Sequence, residues 1–105
     1  MPVSLQEFKA ELFRTLGHEV RVRLLEELRE EEHSVGELQG RLGLSGPNIS
    51  QHLAILRNQG VVLTRREGTT VRYSAADSRV YDLLDDARAM FERRIAAGNA
   101  LLREG

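Results

Sequence analysis

The chain has 105 residues, room for one small domain and not for two ordinary ones. Hydrophobic residues make up 41% and charged residues 30%, a balance that suits a folded, helix-rich domain; the absence of cysteine excludes disulfides, thiolate zinc sites and iron–sulfur ligation. The formal net charge is −1, so no global basicity announces a nucleic-acid partner. No apolar run approaches the roughly 18 residues of a membrane span, and Met1 to Glu11 lacks a basic-then-apolar leader pattern. The expectation is a soluble, cytoplasmic protein.

Five helices and one hairpin follow from periodicity and punctuation. The first helix spans about Leu5 to Leu16: Ser4 and Glu7 have capping-box spacing, and Leu5, Phe8, Leu12, Phe13 and Leu16 form one stripe before Gly17. A second covers about Glu19 to Glu31, with Val20, Leu24, Leu25 and Leu28 inward. Ser34 and Glu37 repeat the capping box and open a short third helix that Gly43 ends. The fourth starts at Ser45 or Gly46, tolerates Pro47 in its first turn, and runs to Gln59 with Gly60 as its stop. Val61, Leu63, Val71 and Tyr73 then alternate about Glu67–Gly68, the signature of a two-stranded hairpin. Asp77 or Ser78 caps a long fifth helix carrying Val80, Leu84, Ala87, Phe91 and Ile95, and fraying is expected from about Gly98.

The third and fourth helices, joined by Leu42-Gly43-Leu44-Ser45, fit a helix-turn-helix at about 34–59. At 100° per residue Ile49, Leu53 and Leu56 mark the buried side of the fourth helix. Pro47, Gln51, Ala54 and Asn58 fall opposite, with Asn48 and Ser50 on the flanks. This small, neutral-polar surface lets a backbone approach a DNA groove, where serine and glutamine can bond to base edges or phosphates. His52, about 60° off the apolar centre, reads better as a packed margin residue than as a base reader.

Charge is distributed unevenly. Between Ser45 and Tyr73 four arginines (Arg57, Arg65, Arg66 and Arg72) stand against one acid, Glu67, a local +3 that leaves −4 for the remainder. Fourteen of the fifteen cations are arginine, which suits planar phosphate recognition and reflects GC-rich coding equally well. A hairpin at about 61–74 with Arg65, Arg66 and Arg72 near its tip is either a wing that reaches phosphates or an edge hairpin whose charges deter aggregation. Directly after a helix-turn-helix, DNA contact is the better reading.

The stretch Leu44-Ser45-Gly46-Pro47-Asn48-Ile49-Ser50-Gln51-His52-Leu53-Ala54-Ile55-Leu56-Arg57 resembles the recognition helix of the ArsR/SmtB winged-helix repressors. Arg65-Arg66-Glu67-Gly68 with Val71-Arg72-Tyr73 is similar to that family's wing, and Thr15 to Arg21 followed by Leu24-Leu25 resembles its junction between helices one and two. The likeness runs in unbroken order from about Phe8 to Phe91. It implies a mainly α fold with a small β-hairpin, a winged helix-turn-helix, in one domain over 1–105. It also implies a DNA-binding repressor that meets a palindromic operator as a homodimer. Family members pair through their first and last helices, about 4–16 and 78–97 here. Those helices are independently amphipathic, and Leu5, Phe8, Leu12, Phe13, Val80, Leu84, Ala87 and Phe91 are either the dimer interface or the completion of the monomer core. Gly46 and Pro47 stand where the family often has polar side chains, so base reading rests on Ser50 and Gln51, or on DNA shape.

Many relatives sense metals. The thiolate pair that the resemblance places in the third helix falls at Ser34-Val35-Gly36-Glu37, without cysteine, and the last-helix site maps to Asp77, Arg79, Met90 and Arg93, of which only the aspartate could ligate. A different nickel, cobalt or zinc site would draw on His18, Glu30, His33, Asp85 and Asp86. The competing reading makes the Glu30–His33 run a solvated helix end. Alternatives to a DNA-binding repressor are therefore a metal-responsive regulator with a site of its own, or a winged-helix module that docks a protein. No triad, phosphate-binding glycine loop or His-Glu-x-x-His occurs, so an enzyme is not expected, nor a required cofactor.

Overall fold

The computed structural model describes residues 3–98; the fraying expected beyond about Gly98 falls on residues outside that range. The elements are α1 (Leu5–Leu16), α2 (Glu19–Glu27), β1 (His33–Ser34), α3 (Val35–Leu42), α4 (Gly46–Asn58), β2 (Val62–Glu67), β3 (Thr70–Ala75) and α5 (Arg79–Ala96). Both capping boxes form: the Ser4 hydroxyl accepts from the Glu7 N–H while the Glu7 carboxylate accepts from the Ser4 N–H, and Ser34 and Glu37 repeat the exchange. The Asp77 side chain, rather than that of Ser78, caps α5 by accepting from the Arg79 N–H at 2.9 Å.

Two expectations need correction. The second helix ends at Glu27, because the backbone leaves the helix at Leu28 and carries the acidic run toward the sheet. The sheet has three strands in the order β1-β3-β2, since His33 and Ser34 pair with Tyr73 and Arg72 in a ladder too short to show any periodicity. His33 is consequently buried, facing inward opposite Tyr73, and not on a solvated helix end.

Leu24 and Leu25 of α2, Leu38 of α3, Ile49, Leu53 and Leu56 of α4 and Val62 of β2 are completely or almost completely buried. They gather α2, α3 and α4 into one core closed by the inner face of the sheet. The fifth helix joins through Val80 and Tyr81. The Tyr81 hydroxyl donates to the Leu25 carbonyl at 2.6 Å, Arg29 lies 5.0 Å over the Tyr81 ring, and both Asp85 carboxylate oxygens accept from Arg29 at 2.7 Å. Burial pushes the Tyr81 phenol up to about 12, so it stays a neutral donor.

Between α3 and α4 the chain turns at Gly43, whose φ of 69° lies in the left-handed region that favours glycine. The Arg23 guanidinium donates to the terminal Leu42 carbonyl of α3 at 3.3 Å, and Arg41 donates to Glu27 at 2.6 Å. The first helix of the motif is thereby tied to α2, which fixes the angle at which α4 emerges.

Candidate nucleic-acid interface

The fourth helix presents the two faces that its sequence dictates. Ile49, Leu53 and Leu56 are sealed in the core, while Pro47, Asn48, Ser50, Gln51, Ala54 and Asn58 are exposed. Ser45 caps the helix, its hydroxyl accepting from the Asn48 N–H at 3.3 Å. Gly46 lies against α3: a Cβ there would come 3.2–3.4 Å from the Gln39 side-chain amide. The outward half-turns therefore form a low, uncharged ridge with amide and hydroxyl groups from Asn48, Ser50 and Gln51.

At the margin of this ridge is a cluster of which helix periodicity signals only the packing of His52. His18 caps α2, its Nδ1 accepting from the Val20 N–H at 3.1 Å, and its ring lies 4.3 Å from that of His52. Arg21 donates from Nε to the Thr15 carbonyl at 2.6 Å and places Nη1 3.3 Å from His52 Nδ1. A guanidinium can only donate, so His52 Nδ1 accepts and its proton resides on Nε2. Burial, and then the neighbouring His18 and Arg21, hold the His52 imidazole below its ordinary pKa.

The wing arginines divide between the two faces of the hairpin. Successive strand residues point to opposite faces, and β2 pairs with β3 so that Arg65 lies opposite Arg72, and Arg66 opposite Val71. The row Val62, Thr64, Arg66 belongs to the face that packs on the helices, with Arg66 beyond the edge of the core. Arg65 and Arg72 share the outer face. There Arg65 donates through Nε and Nη2 to Glu32 and lies 3.8 Å from Glu67. Arg72 donates to Glu67 at 2.8 Å and to Glu37 at 3.2 Å. Among the described residues Arg66 and Arg57, both exposed, enter no ion pair.

Glu37 is the hub of this arrangement. Its Oε1 accepts from the Ser34 N–H at 3.1 Å and from Arg72, and lies 3.2 Å from His33 Nδ1. The Ser34 N–H, with His33 and Arg72, holds the Glu37 carboxyl below the usual range, and Arg65 does the same for Glu32. The local +3 counted along the sequence is thus altered in space. Glu32 and Glu37 fold against wing arginines 33 and 35 positions onward, a pairing no short-range spacing signals.

The other predicted groups are dispersed. Leu5, Phe8 and Phe13 of α1 and Ala87 and Phe91 of α5 are exposed, Leu12 and Leu84 are partly buried against the core, and Val80 is a core residue only 7% exposed. Val80 therefore has little surface to offer a partner. For the metal candidates, His18 is a helix cap, His33 is buried beside Glu37, and Asp85 is held by Arg29, while Glu30 and Asp86 are exposed. Among the described residues no three histidine or acidic side chains gather as a metal site, and no helix is long and apolar enough to cross a membrane.

Residues 18–64 match the profile of the bacterial regulatory proteins of the arsR family. The HTH-type transcriptional regulator Rv0081 of Mycobacterium tuberculosis is 43% identical over 101 residues, which cover 95% of this chain and 89% of that one. Its crystal structure superposes with a TM-score of 0.79, covering 91% of this chain and 97% of that chain. The transcriptional repressor BigR of Xylella fastidiosa gives a TM-score of 0.76 at 36% identity over 82% and 88% of the two chains. A homodimeric winged helix-turn-helix DNA-binding domain from Mycobacterium bovis gives 0.77 at 25% identity over 87% and 84%.

Proposed function

The chain belongs to the arsR family of bacterial regulatory proteins and is a DNA-binding transcriptional regulator, not an enzyme, and from that premise we propose that it represses transcription as a homodimer seated on a palindromic operator. The observation that carries the reading is the exposed, uncharged ridge of α4. A buried charge-free helix side fixes its orientation, and Asn48, Ser50 and Gln51 bring donors and acceptors that match base edges in a major groove. Pro47 and Gly46 keep the start of the helix low, so that close backbone approach and DNA shape contribute to recognition. Arg57 and Arg66, both exposed, supply cations for phosphates. A two-fold axis sets the paired ridges one DNA turn apart, about 34 Å. The protein acts in the cytoplasm, where the operator is.

Binding to duplex from upstream of its own gene, compared with a mixed-sequence duplex across a salt titration, tests this. The expected result is tighter binding to the upstream duplex than to the mixed-sequence one, weakening steeply with salt. A S50A,Q51A variant loses about 1–3 kcal/mol of the discrimination while its binding to the mixed duplex is little changed. Equal loss on both duplexes would remove base reading from α4.

A further inference from the structure

We infer that Glu32 and Glu37 set the affinity and salt-sensitivity of DNA binding by holding Arg65 and Arg72 as internal ion pairs, so that the wing offers DNA one guanidinium, Arg66, instead of three. The inference rests on the DNA-binding reading and deepens it, because the acids lie outside both the recognition helix and the wing.

The geometry assigns the roles. The fork of Arg65, Nε and Nη2, is directed at the Glu32 carboxylate, and these are the donors a phosphate would need. Arg72 is divided between two acids, Nε on Glu67 and Nη1 on Glu37. Its side chain is three-quarters buried, which limits its swing toward a backbone lying across the wing. Two guanidiniums thus meet three carboxylates, a cluster whose formal charge is −1.

Exposed ion pairs are individually weak, and a phosphate could displace one carboxylate if nothing else were at stake. Here displacement leaves Glu32 or Glu37 uncompensated beside a phosphodiester, and the like-charge repulsion opposes the exchange. Glu37 is further fixed by the Ser34 N–H within the α3 capping box, so withdrawing it breaks one of the two reciprocal bonds that cap that helix. Arg66 meets none of these restraints, because strand alternation puts it on the opposite face.

The test is the slope of log affinity against log salt on a mixed-sequence duplex, where only phosphate contacts count. Glutamine preserves the α3 capping box, so E32Q,E37Q is the informative variant. It is expected to bind roughly tenfold more tightly at low salt, with a slope steeper by about one per subunit as Arg65 is released, while Arg72 stays on Glu67. E30Q,E31Q removes the same charge from the loop next to Glu32 without touching a wing ion pair, and its slope matches the unsubstituted protein. Adding R65Q and R72Q to E32Q,E37Q returns the slope to its starting value. R66Q alone flattens it, whereas R65Q alone does not. An unchanged slope in E32Q,E37Q, an equal steepening in E30Q,E31Q, or a flattening by R65Q as large as that by R66Q would overturn the inference alone. Absence of salt-dependent binding by the unsubstituted protein would overturn the DNA reading and this inference with it.

Discussion

His52 shows how far a single residue can be read from its position on a helix. Periodicity alone places it at the margin of the apolar stripe, and the structure puts it there, half-buried against His18 and Arg21. Its partners lie 34 and 31 residues away, and no local pattern names them. Their consequence is a pH effect. Burial, His18 and Arg21 hold the folded imidazole below its ordinary value, and these are the charged and titratable groups that face it from the α1–α2 turn and from α2. The unfolded chain therefore takes up a proton that the folded chain refuses. Stability is complete above about pH 6.5 and falls as acid is added through the window down to the depressed value. Urea unfolding between pH 7.5 and pH 5.5 is expected to show a loss in the unsubstituted protein that is smaller in H52Q. Parallel losses in the two would mean that His52 does not carry the effect. The wing arginines are the opposite case, since their types are evident in the sequence and their acidic partners are fixed only by the fold.

At the scale of elements, local signals were sufficient wherever the determinant is local. Both capping boxes, the Gly43 turn and the hydrophobic side of α4 depend on residues within seven positions of one another, and each forms as its sequence dictates. The end of α2 and the strand β1 depend instead on a ladder to β3 some 40 residues onward, which periodicity within a window cannot register. The two glycines of the helix-turn-helix separate backbone conformation from contact. Gly43 has a φ of 69° with open space where a Cβ would go, so its demand is purely conformational. Gly46 has an ordinary φ, and a Cβ would press only on the flexible end of Gln39. Alanine at position 43 should cost about 1 kcal/mol in chemical unfolding, whereas alanine at position 46 should cost less than about 0.5 kcal/mol because Gln39 can turn aside. The reverse order would show that the approach of α3 to α4, not the left-handed turn, limits the motif.

The whole molecule is more extended than its core requires. Its Cα radius of gyration is 15.4 Å, against about 13 Å for a compact domain of this length, and the excess follows from α1 and α5 lying outside the packed centre. Those helices keep large side chains in water: Phe8 is 56% exposed, Phe13 57% and Phe91 54%, with Leu5, Met90 and Ile95 similarly placed. A groove of about 900 Å3 runs between Phe8 and Leu12 of α1, Val61 after α4, and Val80 and Leu83 of α5. Burying the exposed half of each such aromatic is worth about 1 kcal/mol, and two-fold symmetry doubles every contribution, so the three aromatics together add several kcal/mol to a dimer. Since Phe8 and Phe91 lie outside the core, F8E,F91E should preserve the circular dichroism of the fold while sedimentation equilibrium reports a monomer. Affinity for a palindromic duplex should then fall roughly a hundredfold, because the second half-site is no longer bound at high effective concentration, while affinity for a single half-site changes little. If the variant sediments as a dimer, these helices are not the contact between subunits. If it is a monomer that still binds the palindrome as tightly, the paired ridges are not what recognises the operator.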